Sequence, residues 1–334
     1  MRIAVIGAGS WGSAAAGLLA AKGHSVELWA RRAELAQEIN ETRQNKDYLG
    51  DYVFPSTVHS SSNISEVLAG SDAVVMVTPA QAVREVAKSM VNYVNDKTPI
   101  VVLSKGVEHK TGLVLTDVIA EELGGPGRVA ALSGPNHAEE ICKEKPTAAV
   151  VASYNKDVAE FFQELFARSF FRVYTSTDLL GVELCAASKN IIAIATGMSV
   201  GQGLGDNTSS VIMTRGLAEI SRLMHAMGAE AKTAMGLAGM GDLITTCISE
   251  NSRNRSFGVS FAQGESLDDY KKRRHMVVEG AYSVISVREL AKQHKVEMPI
   301  TEAVYQVLYE GKSLKEESKK LFDRELTQEF YGFE

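Results

Sequence analysis

An α/β protein is predicted, in which an N-terminal, mostly parallel, doubly wound sheet domain precedes an all-α C-terminal domain. Three observations carry this. The first half of the 334-residue chain alternates short apolar runs with helical periods. Past about residue 178 the β-branched runs nearly vanish and long helical patterns take over. The length also exceeds what one core usually organises, so two domains are expected, placed at 1–177 and 178–334.

Strands are expected at Arg2–Ile6, Ser25–Trp29, Ala73–Val77, Ile100–Ser104, Arg128–Leu132, Ala148–Ala152 and Phe171–Thr175, with a weaker one near Val58. Continuous apolar runs suit strands covered on both faces. Helices are expected between them at Ser10–Lys22, Glu34–Asn40, Ala80–Tyr93, Gly112–Leu123 and Lys156–Ala167, which makes each connection a right-handed crossover. In the second half, residues 177–201 read as a helix capped by Thr177 or Asp178. Another opens at Asp206/Asn207 and closes near Gly228. Residues 312–330 read as a charged, solvated helix face, and no internal repeat is visible.

Composition narrows the function. A net charge of −6 argues against nucleic acid as the main partner. Cys142, Cys185 and Cys247 are scattered singly, without zinc spacing or a disulfide pattern, so no metal is expected and a reducing compartment is. No run reaches the roughly 18 uninterrupted apolar residues of a membrane span, and no leader pattern opens the chain. A cytoplasmic protein is expected.

The segment "VIGAGSWG" sets Gly7, Gly9 and Gly12 in G-x-G-x-x-G spacing after an apolar strand and before an Ala-rich helix. Gly7 permits the tight turn, Gly9 lets backbone approach a pyrophosphate, and Gly12 lets helix and strand pack closely. The helix beginning at Ser10 offers N–H groups and a positive dipole end to phosphates. This is the Rossmann-type arrangement for NAD(H) or NADP(H). The next strand ends not in the carboxylate that holds ribose hydroxyls but in Arg31 and Arg32. A guanidinium pairs with a 2′-phosphate and stacks on adenine, which points to NADP(H) preference or dual use; two solvated loop arginines are the alternative.

Several polar islands stand out elsewhere. Lys105 follows a buried strand at its carboxyl end, where ligands gather in open α/β sheets; it is either that or a solvated loop residue. "LSGPNHAEE" ends another strand at Ser133-Gly134, either cradling a ligand or simply turning into a helix. Lys189, followed by Asn190, sits in a helix otherwise small and apolar. It either snorkels to solvent or is desolvated, and desolvation lowers an amine toward the range of a general base. "GLAGMGDL" places Asp242 behind three glycines, "SENSRNRSFG" clusters Ser252, Arg253, Asn254 and Arg255 as a phosphate clamp or a capping loop, and "VVEG" offers Glu279 as an acceptor for a cofactor amide or hydroxyl.

The ordered set "GAGSWG", "SKG", "SGP", "ASKN", "GLAGMGDL", "SRNRSFG", "VVEG" and "MPITEAVYQVLY" closely resembles the bacterial, soluble, biosynthetic NAD(P)-dependent sn-glycerol-3-phosphate dehydrogenases, from residue 1 to about 312. The resemblance implies hydride transfer between NADP(H) or NAD(H) and sn-glycerol 3-phosphate or dihydroxyacetone phosphate, in the direction of reduction, for glycerophospholipid synthesis. It implies Lys189 as proton acceptor, Lys105 as a contact to substrate and cofactor, and Asp242 as the group that orients the lysine and the substrate hydroxyls. Ser252, Arg253 and Asn254 match the phosphate clamp, with Gly134 and Asn136 completing the substrate site. Ser10, Trp11, Arg31, Arg32, Tyr48, Lys105, Ala138, Arg253, Val277 and Glu279 match cofactor positions. Asn136 departs from the Ser or Thr common in relatives. A homodimer is implied too. The competing readings are a sister β-hydroxyacid dehydrogenase of the 6-phosphogluconate or ketopantoate type, and a non-catalytic NAD(P)H sensor. The enzyme reading requires that Lys189 and Arg253 serve one pocket.

Overall fold

The computed structural model describes residues 1–274, 277–329 and 331–332, so Met276 before "VVEG" and Phe330 of the tail lie outside it. The chain divides into two units, Met1–Ser104 with Leu115–Leu179, and Lys105–Val114 with Leu180–Glu334.

The first unit is built on eight strands: β1 (Arg2–Ile6), β2 (Ser25–Trp29), β3 (Val58–Ser61), β4 (Ala73–Met76), β5 (Ile100–Val102), β6 (Val129–Ser133), β7 (Thr147–Ala152) and β8 (Phe171–Ser176). Its helices are α1 (Ser10–Ala20), α2 (Ala33–Thr42), α3 (Lys46–Leu49), α4 (Ile64–Leu68), α5 (Val83–Met90), α6 (Leu115–Leu123), α7 (Ala138–Ile141) and α8 (Lys156–Phe166). The sheet order is β3-β2-β1-β4-β5-β6-β7-β8. Every pair is parallel except β6 with β7, where Ser133 faces Val150 in antiparallel register. The order reverses between β1 and β4, the switch point at which such sheets bind ligands beyond the carboxyl ends of their strands. The Ala-rich helix α1 buries nearly all its residues in the core with Val26, Leu28, Phe162 and Phe166.

Unit two is helical: α9 (Leu179–Gly201, from Leu180 onward), α10 (Asp206–Ala226), α11 (Asp242–Ile248), α12 (Arg253–Ala262), α13 (Leu267–Arg274), α14 (Glu279–Gln293), α15 (Pro299–Tyr309) and α16 (Leu314–Phe322). Helix α9 is long and apolar enough to cross a membrane, with a mean hydropathy of 1.4, but 89% of that window is buried within the protein. A helix apolar on all sides is what the centre of a helical core requires.

The structure corrects several sequence expectations. The domains are not two contiguous stretches, because Lys105–Val114 groups with the helical unit. That segment closes on itself through an antiparallel bridge between Val107 and Val114. Ser286 on α14 then donates to the Val107 carbonyl at 3.3 Å, and His109 Nε2 lies 2.9 Å from the Tyr282 carbonyl. Periodicity cannot show such an excursion. The helix expected from Gly112 begins at Leu115, since Gly112 has φ +74°. The helix expected over Ala80–Tyr93 starts as a tighter turn, Ala80–Ala82, before α5. Helix α10 does open at Asp206, with Gly205 before it as the N-cap. The tail helix stops at Phe322, and the chain beyond it is not merely solvated: Arg215 donates to the Glu329 carbonyl at 2.7 Å, and the Arg222 guanidinium lies 4.4 Å from the Tyr331 ring centroid.

Candidate active site

In the first unit, the glycine turn follows β1. Gly7 has φ +123°, and a Cβ there would sit 2.7 Å from the Val77 carbonyl oxygen. A Cβ at Gly12 would fall 1.8 Å from the Gly7 oxygen, so packing alone demands glycine at both positions. Gly9 differs. It has ordinary extended backbone, and an added Cβ would meet no protein atom within 4 Å. Open space therefore lies over the N-terminus of α1, whose N-cap is Gly9 and which no side chain caps. The Trp11 indole Nε1 is buried beside this turn without a partner among the described residues. Open space, uncapped N–H groups and a positive helix end fit a pyrophosphate.

Arg31 and Arg32 are exposed just past β2. Arg32 reaches Asp47 of α3 at 3.5 Å, an exposed contact of little energetic weight. Tyr48 sits on the same short helix, half-buried against the unit's core. Asn136 and Ala138 are buried at the start of α7. Gly134, at φ +146°, is needed because a Cβ would approach Ala149 Cα on β7 to 2.8 Å, so strand packing accounts for it without a ligand.

In the second unit, two ammonium groups converge on one carboxylate. Lys189 and Asp242 are 4% and 3% exposed. Lys189 Nζ donates to Asp242 Oδ1 at 2.6 Å and to Thr246 Oγ1 at 2.6 Å. Lys105 Nζ donates to the other oxygen, Asp242 Oδ2, at 2.7 Å. The local sequence explains how Asp242 arrives there. A wide π turn over Leu237–Gly241 leads into α11, and only glycine fits at 239, where a Cβ would lie 2.0 Å from the Ala234 carbonyl oxygen. Such turns inside helices recur at functional sites. Burial lowers Lys189 to about 8; Asp242 opposes that shift and Lys105 adds to it. Burial pushes Asp242 upward, but the ammonium groups of Lys105 and Lys189 outweigh it and hold the carboxyl below its ordinary value.

Of the residues expected to clamp phosphate, Asn254 is tied to Asn190, the residue after Lys189. Ser252 is the buried N-cap of α12 and accepts from the Arg255 N–H at 3.2 Å. Arg253, in the first turn, is exposed. The Asn254 amide donates to Asn190 Oδ1 at 3.0 Å and accepts from the Gly280 N–H at 2.9 Å, bracketing α9, α12 and the start of α14. One amide hydrogen of Asn254 is left over. Val277 and Glu279 enter α14 next to that bracket, half-buried. A cavity of about 340 Å³ elsewhere in this unit, among α9, α10 and α15, contains none of these groups. One participant escaped sequence reading: Thr246 lies one helical turn after Asp242 and was findable from i,i+4 spacing.

Residues 2–159 match the family described as NAD-dependent glycerol-3-phosphate dehydrogenase N-terminus, and residues 178–319 its C-terminus. The chain belongs to the NAD-dependent glycerol-3-phosphate dehydrogenase family. Among curated relatives, glycerol-3-phosphate dehydrogenase [NAD(P)+] of Chlorobium limicola is 46% identical, over 99% of this chain and all of that one. The Moorella thermoacetica protein of the same name is 47% identical over 98% and 97%. The crystal structure of glycerol-3-phosphate dehydrogenase from Coxiella burnetii is 38% identical, with a TM-score of 0.93 over 97% of this chain and 99% of that one. Membership of this family makes the chain an NAD(P)-dependent oxidoreductase and answers the rival sister-enzyme and sensor readings.

Proposed function

We propose that this chain interconverts sn-glycerol 3-phosphate and dihydroxyacetone phosphate, working as a reductase that supplies the glycerol phosphate of phospholipids, in the cytoplasm and as a homodimer. One observation carries the chemical assignment. Of the three hydrogens on the buried Lys189 ammonium, two are committed to Asp242 and Thr246, and the third has no partner among the described residues. A buried cation with an uncommitted hydrogen is costly unless a substrate oxygen takes it up.

A nicotinamide bound there would supply the hydride for reduction at C2 and take it up in the reverse direction. Lys189 gives its proton to the C2 oxygen during reduction and removes it during oxidation. Asp242 holds the two amines, and Thr246 accepts from Lys189 and donates to the Asp242 carbonyl at 2.6 Å, so the amine cannot rotate away. Lys105 brings a second positive charge toward the oxygen as it becomes an alkoxide. Arg253, with the N-terminus of α12 and its cap Ser252, binds the substrate phosphate, and Gly134 and Asn136 contact the substrate. Remote phosphate binding then fixes C2 for transfer. Gly7, Gly9, Ser10, Trp11 and Gly12 hold the pyrophosphate; Arg31, Arg32 and Tyr48 serve the adenosine end; Ala138, Val277 and Glu279 complete the cofactor contacts.

Oxidation of NADPH, then of NADH, followed by absorbance on adding dihydroxyacetone phosphate, tests the activity; no oxidation of either overturns it. Arg31→Asp is expected to lower the NADPH-to-NADH ratio of kcat/KM by about tenfold or more, a charge-assisted contact being worth roughly 1.5–3 kcal/mol. An unchanged ratio removes Arg31 from nucleotide choice.

A further inference from the structure

We infer that Asn45 is a positioning residue for the nucleotide: it aims the Gly9 N–H at the pyrophosphate and ties the phosphate turn to the segment that meets the adenosine end. The inference rests on the proposed reading of the glycine turn as the pyrophosphate site.

Asn45 is fully buried, 0% exposed, although it lies in a polar stretch between α2 and α3. It is the N-cap residue of α3, and asparagine is among the best side chains for that task. Yet its side chain makes no cap bond to its own helix. Instead the amide Nδ2 donates to the Ala8 carbonyl at 2.9 Å and to Ser13 Oγ at 2.8 Å, more than thirty residues away in sequence. A carbonyl can only accept, so the amide nitrogen has to face Ala8, which fixes the orientation of the group. The consequence is a buried Oδ1 with no donor among the described residues. An unsatisfied buried acceptor destabilises the fold. Neither helix capping nor core packing needs this arrangement.

The geometry of the peptide unit says what is gained. Ala8 and Gly9 share a planar, trans peptide, in which the C=O and the following N–H point in opposite directions. Drawing the Ala8 carbonyl inward onto Asn45 turns the Gly9 N–H outward, and that N–H has no partner among the described residues. A Cβ at Gly9 would likewise meet no protein atom within 4 Å, so the turn is open on that side too. The Asn45 backbone meanwhile accepts from the N–H groups of Tyr48 at 3.2 Å and Leu49 at 2.9 Å. One residue thereby fixes both the phosphate turn and the short helix that carries Asp47, the partner of Arg32, and Tyr48.

Asn45→Ala is expected to raise KM for NADPH and for NADH about tenfold by the same factor, leaving kcat within twofold and KM for dihydroxyacetone phosphate unchanged. Direct titration of NADPH fluorescence on the purified protein reads the same loss without turnover. A purely structural role would lower the melting temperature and the yield of active enzyme without that split. Should Asn45→Ala fail to fold, Ser13→Ala keeps the Ala8 bond and removes the other, with an expected two- to threefold rise in both nucleotide KM values. Unchanged nucleotide affinity in whichever variant folds, or a change for one nucleotide only, overturns the inference. Gly9→Val separates it from the reading beneath: lost nucleotide binding in Gly9→Val with intact binding in Asn45→Ala sinks only the role of Asn45. Intact binding in Gly9→Val sinks the pyrophosphate site itself.

Discussion

Asp242 and Glu219 are two carboxylates of the same helical unit, 3% and 2% exposed, and their surroundings drive them in opposite directions. Asp242 stands between two ammonium groups and is held below its ordinary value against the pull of burial. Glu219, on α10, faces backbone: Oε1 accepts from the Ile300 N–H at 2.6 Å, and Oε2 from the Thr301 N–H and hydroxyl, both at 3.2 Å. Burial wins there over those hydrogen bonds and Arg222, and Glu219 is pushed up to about 7. Full charges at contact distance outweigh desolvation; dipoles at the end of a helix do not. Gathering three formal charges at this point, those of Lys189 and Asp242 buried, is a poor way to stabilise a fold, because hydrophobic groups of similar volume often serve as well or better. Glu219 caps the start of α15, whose first residue is Pro299, and so joins two helices. On the proposed mechanism, Asp242 serves chemistry while Glu219 serves architecture.

The contrast is sharpest if each is removed. Asp242→Asn leaves two amines without their shared anion, so the Lys189 amine falls further below about 8 and loses its anchor. The reduction rate is expected to drop about 10²–10⁴-fold, the usual worth of a positioned acid, with nucleotide binding measured by fluorescence nearly unchanged. A loss under tenfold would put Asp242 on the architectural side. Glu219→Ala is expected to do the reverse. It leaves the Ile300 and Thr301 N–H groups without their acceptor and should cost about 2–3 kcal/mol by chemical denaturation, with kcat within twofold of the parent. A large kcat loss at unchanged stability would break the division.

Acidity supplies the smaller effects, and their signs follow from the two environments. With Lys189 in its proposed role as the acid, kcat for reduction should be high below about 8 and fall as pH rises through it. Oxidation needs the free amine and should rise through the same midpoint. Glu219 bears on stability. Its folded pKa, about 7, lies above the ordinary 4.5, so between those values the native state holds a proton that the unfolded state has released. Its contribution is full below pH 4.5, declines as pH rises toward 7, and is flat above that. Denaturation curves for Glu219→Gln should show a weaker decline over that window, while its rate profile keeps the parent midpoint near 8.

Much of this was legible in the sequence for a specific reason. The glycine turn is a local object: six consecutive residues directly after β1, Gly7 to Gly12, contain the bend and the helix start, and the glycines are where side chains would collide or enter open space. Lys189 announced itself as a lone cation in an apolar helix, because a helix apolar on all sides has to be buried. Asp242 showed behind its glycines, although the π turn that places it did not. What the sequence hid was pairing. Nothing near Asn45 indicates that it abandons its own helix for Ala8, and nothing near Lys105 indicates that its loop joins the helical unit and not the strand it follows. Asn254, read as a clamp for phosphate, has most of its amide occupied with Asn190 and Gly280.

By itself, then, the order of residues determined the alternating sheet, the helical second half, the nucleotide turn and which side chains are chemically unusual, since periodicity, turn chemistry and the isolation of a charge among apolar neighbours are properties of short stretches. Only the tertiary structure decided which of those side chains meet. The proton affinity of Lys189 depends on a carboxylate fifty-three positions away and an amine eighty-four positions away, brought together by helix packing. Electrostatic energy depends on distance through space, and folding alone sets that distance.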